Sequence, residues 1–236
     1  LGDDVLVYPA HGAGSSCGKN IGKETWSTLG QQKKTNYALQ EMTREDFIKA
    51  VTDGLAPPPQ YFFKDAMINK NGYDNIDEVM SRNLQALSAD ELKKEIAAGA
   101  LVLDTRDPDS FEKGFIKGSL NIGLGGQYAI WLGTLVSIDQ KLVIVADEGK
   151  ENDSILRAAR VGFENINGFL KGGIAAWTAA GNSVEKILSI TPQEFADNVK
   201  GGPSRASGPE VILDVRKPSE YDTAHVKGAE LLELAS

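Results

Sequence analysis

The sequence predicts an α/β protein with a parallel sheet that is covered by helices on both faces. Three observations support this fold class. Short apolar runs alternate with helical segments between residues 84 and 185, and such alternation is typical of parallel sheets. The most apolar run, Leu142–Val145, contains no polar position, as expected of a central strand that is buried on both faces. A sequence repeat carries the beginning of the same pattern into residues 186–236.

The repeat relates two segments that lie 110 positions apart, Leu103–Gly118 and Leu213–Gly228. Leu, Asp, Arg, Pro, Lys and Gly occupy the same offsets in both segments, and an aromatic residue aligns with an aromatic residue. Each copy follows an apolar run, and each is preceded by a helix start, at Ser88 and at Thr191, with Glu three residues later. A repeat of this length indicates a duplicated domain rather than a solenoid unit.

Composition excludes several classes of function. The net charge of -8 disfavours binding to nucleic acid or to an anionic membrane surface. The sequence contains no apolar run of membrane-spanning length and no recognisable signal peptide. With one cysteine, Cys17, the chain has no internal disulfide and fits a reducing compartment. We therefore predict a cytoplasmic protein with no nucleic-acid or membrane partner; a homo-oligomer is compatible with these properties.

The first 40 residues contain a histidine that follows a strand. Val5–Tyr8 is strand-like and leads into a loop rich in Gly and Ser that contains His11 and Cys17. A histidine at a strand end, followed by small residues, suits a metal or anion site, whereas a structural histidine is the simpler interpretation of this residue alone. Cys17 is the candidate thiol, or else a buried small residue. The loop does not match a dinucleotide-binding fingerprint, because Cys17 stands where the third Gly should be.

A helix and a linker are predicted next. Thr43 is a helix N-cap, and one face of the helix that follows it is predicted to carry Phe47, Ile48, Val51 and Leu55. Three consecutive prolines end this region. Residues 69–83 are polar and turn-rich, so we interpret them as a linker.

This opening region resembles the C-terminal part of a metallo-β-lactamase-fold (αββα) protein of the glyoxalase II and persulfide dioxygenase branch. The resemblance is carried by Tyr8–Gly18, Ala56–Pro59, Tyr61–Phe62 and Ile68–Asn69. It implies that His11 corresponds to the last histidine of the metal centre, which binds the second metal in dinuclear hydrolases and lies beside a single iron in persulfide dioxygenases. One histidine cannot hold a catalytic metal, so we expect His11 to be part of a site completed by an H-x-H-x-D-H signature upstream of Leu1.

Residues 84–185 are predicted to form a complete domain, and they resemble the rhodanese family. The matching residues are Leu103-Asp104-x-Arg106-x-Pro108-x-x-Phe111, Ile116-x-Gly118, Gly162-Phe163-x-Asn165 and Leu170-x-Gly172-Gly173-Ile174-x-x-Trp177. The resemblance implies a rhodanese-like parallel sheet. The Asp-x-Arg pairs of the two copies, Asp104 with Arg106 and Asp214 with Arg216, are interpreted as structural, because an arginine there can pair with a carboxylate and hold neighbouring loops.

The resemblance also implies a catalytic cysteine after the central strand, in a cradle of backbone N–H groups at a helix N-terminus. The corresponding loop reads Ala146-Asp147-Glu148-Gly149-Lys150-Glu151. Ala146 replaces the nucleophile and carries no sulfur, hydroxyl or amine. Asp147, Glu148 and Glu151 oppose the single cation of Lys150, and like charge would raise the pKa of a thiol and repel an anionic sulfur donor. We therefore predict a domain that is inactive as a sulfurtransferase, with no catalytic residue.

The second copy is predicted to be the first half of another rhodanese-like domain. Ser236 aligns with Gly126, well before the first copy ends, so we expect the chain to be an internal fragment of a longer protein. His225 stands where the first copy has Phe115 and is interpreted as structural. A parallel sheet without its central strand leaves apolar faces uncovered, so we expect residues 186–236 to be ordered by packing on the preceding domain or on another chain.

The predicted organisation has three parts: residues 1–83, the end of a metallo-β-lactamase-like domain with a linker; residues 84–185, a rhodanese-like domain without its cysteine; and residues 186–236. The first functional hypothesis is a persulfide dioxygenase fused to rhodanese domains. The resemblance then implies iron, glutathione persulfide or another sulfane sulfur species as substrate, and sulfite as product. The second is a binding module, in which the domain without cysteine is a spacer, dimerisation surface or docking platform. The third is a zinc-dependent thioester hydrolase of the glyoxalase II type.

Overall fold

The chain is represented by a computed structural model that describes residues 1–9, 24–53, 75–200 and 211–234, with isolated positions between 62 and 72. It divides into two compact units, Leu1–Pro57 and Pro58–Ser236. The loop that contains His11 and Cys17 lies outside the described residues. In the described part of the chain, no helix has the length and apolar character needed to cross a membrane.

The first unit contains a short antiparallel strand pair and two α-helices. Its elements are β1 (Leu6–Val7), β2 (Ser27–Thr28), α1 (Leu29–Thr35), a 3-10 turn (Tyr37–Leu39) and α2 (Arg44–Thr52). Helix α2 begins as predicted, because the Thr43 hydroxyl accepts a hydrogen bond from the Asp46 N–H. Phe47 and Ile48 lie on this helix and remain more than one-third exposed.

The second unit is built on a five-stranded parallel sheet in the order β3-β7-β6-β4-β5. The strands are β3 (Ala86–Leu87), β4 (Leu101–Asp104), β5 (Leu120–Asn121), β6 (Leu142–Val145) and β7 (Ile166–Leu170). The helices are α3 (Ile76–Asn83), α4 (Ala89–Ala97), α5 (Pro108–Glu112), α6 (Tyr128–Leu135), α7 (Glu151–Ala159) and α8 (Gly173–Ala179). The α/β fold class is confirmed.

Two hydrophobic clusters flank the sheet, one on each face. All four side chains of β6 are buried, and successive side chains point into opposite clusters. Leu142 and Ile144 pack with α6 and α7, whereas Val143 and Val145 pack with α4 and α8. The uninterrupted apolar sequence of β6 therefore follows from its central position between two helical layers.

Helix α3 corrects the interpretation of residues 69–83 as a linker. Residues 76–83 form a helix whose Val79 and Asn83 are buried. The Asn83 side-chain amide donates to the carbonyl of Glu164 at 2.9 Å, and Met80 packs on the main core cluster. The polar composition of this stretch reflects one exposed face of a docked helix. The domain ranges 1–83, 84–185 and 186–236 stay a prediction.

Two capping boxes begin helices where the repeat predicted them. At Ser88 the hydroxyl accepts from the Glu91 N–H, and the Glu91 carboxylate accepts from the Ser88 N–H at 2.8 Å. Thr191 and Glu194 make the same reciprocal bonds before α9 (Pro192–Lys200). The helix that precedes each copy of the repeat therefore begins with the same capping box.

The second copy of the repeat forms its first two strands. They are β8 (Leu213–Asp214) and β9 (Glu230–Leu231), which pair in parallel around α10 (Pro218–Thr223). Leu213 is 50% exposed, whereas the equivalent Leu103 is fully buried; Leu232 is 55% exposed, against 5% for Ile122. The backbone of the repeat is thus reproduced in the described part of the second copy, but the equivalent apolar side chains are less buried.

Candidate functional site

An open cleft of about 830 Å³ lies at the carboxyl ends of β4, β5 and β6. It is lined by Thr105, Asp107, Pro108, Asn121, Ile122, Gly123, Leu124, Gly125, Gln127, Tyr128, Trp131, Leu135, Asp147, Lys150, Asp153, Arg157 and Leu234. Open parallel sheets bind ligands in crevices at this edge, because the loops after the strands diverge there. The cleft is therefore the candidate functional site of the described chain.

The loop that the sequence singled out connects β6 to α7 beside this cleft. Ala146 directly follows the strand, is 4% exposed, and belongs to the main core cluster. The Lys150 N–H donates to the Asp147 carbonyl at 3.0 Å, with Gly149 at φ 80°, so the loop closes as a tight turn. Helix α7 then begins at Glu151. The methyl group of Ala146 thus stands at the strand end, and nothing at that atom can act as a nucleophile.

The Gly172–Gly173 pair supports this loop from the neighbouring strand. Gly173 has φ 56°, in the left-handed region that favours glycine. A Cβ atom at Gly173 would lie 3.0 Å from the carbonyl oxygen of Ala146, tighter than normal van der Waals contact. Gly173 therefore lets the start of α8 approach the backbone of the loop.

Carboxylates surround the loop at the start of α7. Asp147 and Glu148 lie in the turn, and Glu151 and Asp153 lie in the first helical turn, opposite Lys150. Acidic side chains at a helix N-terminus are stabilised by the N–H groups that have no partner within the helix. The charges are compatible with the local fold, but they make the position around Ala146 unfavourable for a thiolate or for an anionic sulfur donor.

The apolar wall of the cleft comes from α6 and carries one fixed cation. Tyr128 is buried, its hydroxyl donates to the Ser154 carbonyl at 3.2 Å, and burial raises the pKa of this phenol above its ordinary value. The Arg157 guanidinium lies over the Tyr128 ring, 5.2 Å from its centroid, and donates to the carbonyl of Leu124. Trp131 lines the same wall. Arg157 therefore holds together two walls of the cleft.

Buried hydrogen bonds fix the floor of the cleft. The hydroxyls of Thr105 and Ser154 lie 2.8 Å apart and link the end of β4 to α7. The Asn121 side-chain amide donates to the carbonyls of Asp104 and Arg106, each at 3.0 Å, and so holds β5 against the loop after β4. The cleft is a preformed cavity, because its floor is crosslinked by the protein itself.

Asp104 and Arg106 form a buried ion pair behind the cleft. The Arg106 Nε lies 2.9 Å from Oδ1 of Asp104 and its Nη2 lies 2.6 Å from Oδ2, so the pair is bidentate. Nη2 also donates to the carbonyl of Gly114 at 2.9 Å. Arg106 thereby fixes the loop that follows α5, and neither residue lines the cleft.

The second copy reproduces this pair in a more exposed setting. Arg216 Nε and Nη2 lie 2.9 and 2.6 Å from the two oxygens of Asp214, and Nη2 donates to the Ala224 carbonyl at 2.8 Å. The hydrogen bonds from Arg216 lower the pKa of Asp214 to about 2. Because the distances match those of the buried pair, the residues of the repeat themselves encode the geometry.

A stacked aromatic pair also recurs in both copies. Phe111 and Phe115 stack with their ring centroids 4.3 Å apart, and Tyr221 and His225 stack at 3.8 Å. His225 Nδ1 lies 2.9 Å from the Tyr221 carbonyl oxygen. His225 therefore occupies the place of Phe115 as a stacking partner, within a contact that spans one helical turn.

The described residues do not supply a metal site. In the ranges given above, no three His, Cys, Asp or Glu side chains are grouped closely enough to hold an ion. His11, the predicted partial metal site, and Cys17, the candidate thiol, both lie outside those ranges. A catalytic metal normally takes three protein ligands, so these residues alone do not fit a resident iron or zinc.

The sequence did not identify the cleft-lining residues Tyr128, Trp131, Asp153 and Arg157 as parts of a site. They lie on α6 and α7, and in the sequence they have the pattern of ordinary apolar or amphipathic helix positions. Only the packing of these two helices against each other and the shared cleft brings them together. No sequence motif distinguishes them, although the strand-end loop at Ala146 indicated which edge of the sheet to inspect.

Residues 88–180 match the family model of the rhodanese-like domain. This segment is a rhodanese-like domain. The match coincides with the five-stranded sheet and its cleft, so Ala146 occupies the strand-end position that the resemblance assigned to the cysteine. A comparison with curated protein sequences found no match.

Solved structures of other proteins are similar to parts of the chain that differ in length. A metallo-beta-lactamase from Staphylococcus aureus is 26% identical with a TM-score of 0.55, over 72% of this chain and 45% of that protein. The chain thus spans less than half of that structure. The rhodanese-like domain of the Anabaena sp. Alr3790 protein is 21% identical (TM-score 0.40, 56% of this chain, 94% of that one). A rhodanese-related protein of Thermoplasma volcanium is 25% identical (TM-score 0.34, 42% and 96%).

Proposed function

We propose that residues 88–180 are a non-catalytic rhodanese-like domain, which serves as a docking module in a cytoplasmic sulfur-metabolism protein. The observation that carries the proposal is Ala146. The domain retains its sheet, its cleft and the strand–turn–helix around the loop, but the side chain at the strand end is a methyl group in the core. A preserved cleft without a nucleophile favours binding over group transfer.

The charges of the loop support the same conclusion independently of the missing sulfur. A thiol restored by Ala146→Cys would lie among Asp147, Glu148 and Glu151, and these carboxylates disfavour its thiolate. We therefore expect Ala146→Cys to create a thiol whose pKa exceeds that of the same thiol in a matched variant that also carries Asp147→Asn, Glu148→Gln and Glu151→Gln. Thiol alkylation rates measured against pH give both values. Equal pKa values would remove the electrostatic part of the argument.

For the longer protein we propose the persulfide dioxygenase activity that the first hypothesis names, with iron supplied by a complete metal centre. The similarity to a metallo-beta-lactamase and the rhodanese-like domain both fit a sulfur-related fusion. The substrate would be glutathione persulfide or another sulfane sulfur species, and the product sulfite. Residues 211–234, the start of the second copy, would belong to a further rhodanese-like domain that transfers sulfane sulfur.

A zinc-dependent thioester hydrolase of the glyoxalase II type is the second candidate. Metal analysis of the longer protein, combined with oxygen uptake on glutathione persulfide and hydrolysis of a glutathione thioester, separates the two candidates. Iron with oxygen uptake supports the dioxygenase, and zinc with thioester hydrolysis supports the alternative.

Deletion of residues 88–180 from the longer protein tests the docking role. We expect persulfide oxidation to persist while assembly or coupling to sulfur transfer weakens. Loss of oxidation in an otherwise folded deletion variant would contradict a docking role.

A further inference from the structure

We propose that the cleft binds an arginine side chain presented by a partner protein; this proposal rests on the docking function and names the chemistry of its ligand. The starting point is the cavity itself. At about 830 Å³ it falls within the range of small-ligand sites, and it is lined by segments from β4, β5, α6, α7 and Leu234. A cavity of this size accommodates a long side chain together with a short stretch of its backbone.

The lining of the cleft has apolar walls and an acidic rim. Ile122, Leu124, Trp131, Leu135 and Leu234 contribute apolar surface. Asp107, Asp147 and Asp153 contribute carboxylates to the same lining, against the cations of Lys150 and Arg157. An aliphatic stem can pack on such a wall while a charged head reaches the rim.

The charges that remain available are negative by one unit. Arg157 already contacts the Tyr128 ring and the Leu124 carbonyl. Lys150 is therefore the cation that offsets one of the two carboxylates Asp147 and Asp153. In the described part of the chain, Asp147 and Asp153 make no ion pair with another side chain, and both are exposed. Complementarity therefore favours a cationic ligand over thiosulfate or another anionic sulfur donor.

A guanidinium group fits this lining better than a compact ammonium. It is planar, it can bond a carboxylate in a bidentate manner, and it stacks on aromatic rings such as the indole of Trp131. Asp147 at the turn and Asp153 on α7 are the two carboxylates that we assign to it, because neither makes an ion pair within the described ranges. Asp107 already caps α5 through the Ser110 N–H and hydroxyl.

The test uses the full chain and two matched probes, acetyl-arginine methylamide and its uncharged isostere acetyl-citrulline methylamide. Amide and indole proton shifts are followed by NMR. We expect saturable shifts with a dissociation constant of about 1 mM for the arginine probe. The Trp131 indole signal should move. The Trp177 indole signal should not, because that N–H donates to the Ser183 carbonyl and the ring packs in the cluster on the other face of the sheet.

Variants assign the shifts to the carboxylates. Asp147→Asn and Asp153→Asn should each weaken binding by about threefold, the effect of losing one exposed charge contact, while the exposed Asp90→Asn on α4 should leave it unchanged. Equal affinity for the citrulline probe would overturn the proposal, as would unchanged affinity in both cleft variants or tighter binding of thiosulfate at the same residues. These outcomes concern only the ligand of the cleft. The proposal that the domain is non-catalytic depends on Ala146 and is tested separately, by sulfur transfer.

Discussion

Replacement of Arg106 by Met should strongly destabilise the rhodanese-like domain. Methionine keeps most of the unbranched stem but removes the guanidinium, which leaves the carboxylate of Asp104 buried without its cation. Breaking a buried pair by removing one partner costs about 3–5 kcal/mol. The carbonyl of Gly114 loses its donor as well. Because the free energy of unfolding of a native domain is about 5–15 kcal/mol, the variant should lose a large part of its stability.

Urea unfolding measures this loss directly. Trp131 and Trp177 lie within the domain and report its unfolding by fluorescence, provided that Trp26 of the first unit is replaced by Phe in all variants. With a urea m-value of about 1–3 kcal/mol/M, the midpoint of Arg106→Met should fall by about 2 M. Adding Asp104→Asn to the same chain should recover part of the loss, because the buried charge is then removed too.

The second copy provides the matched control for this experiment. Arg216 makes the same bonds to Asp214 and to a carbonyl eight residues later, but its side chain is nearly half exposed. The Asp214 side chain is 11% exposed beside Arg216, and removal of the exposed guanidinium opens it to water. Arg216→Met should therefore leave the main unfolding transition unchanged within error. Equal midpoint shifts for Arg106→Met and Arg216→Met would refute the reasoning from burial.

Two further predictions concern backbone fit and titration. Gly168→Ala should destabilise by about 3 kcal/mol, because its Cβ would lie 2.4 Å from the Gln85 carbonyl oxygen at φ 125°. Gly118→Ala, at φ 79° with open space around it, should cost only about 1 kcal/mol, and urea midpoints that do not differ would contradict the clash. The Asp214 carboxyl should titrate near pH 2 by NMR, as its pKa is depressed. Solvent screening keeps the stabilisation by this exposed pair small, and what there is of it is present above the ordinary pKa of 3.8 and lost as pH falls towards 2. In Arg216→Met the titration should return towards the ordinary value, and an unchanged titration would exclude Arg216 as its cause.

Local sequence signals predicted most of the fold of residues 84–185. The apolar run at Leu142, the capping box at Ser88 and the turn at Asp107-Pro108 each determine a structure within a few residues of themselves. Helix α3 was missed because its amphipathic face is short and its partner, Glu164, lies far along the chain. Polar composition alone does not separate a docked helix from a linker.

The candidate site was predictable only in part, for a related reason. The loop at Ala146 could be located because a strand, a turn and a helix follow one another in sequence. The wall of the cleft could not be located in this way. Tyr128 and Arg157 lie on two different helices, and no sequence pattern indicates that these helices pack against each other. The repeat predicted the geometry of the Asp214 pair but not its exposure, because burial depends on packing by residues distant in sequence, which the repeated motif does not contain.

The measurement that tests the central claim most directly is sulfur transfer by the purified chain. The protein is incubated with thiosulfate, its intact mass is recorded, and thiocyanate formation is followed after cyanide is added. We expect no added sulfur at the Ala146 loop and no thiocyanate above the blank, both in the native chain and in Cys17→Ala, which has no cysteine at all. Steady thiocyanate production that persists in Cys17→Ala would contradict the account.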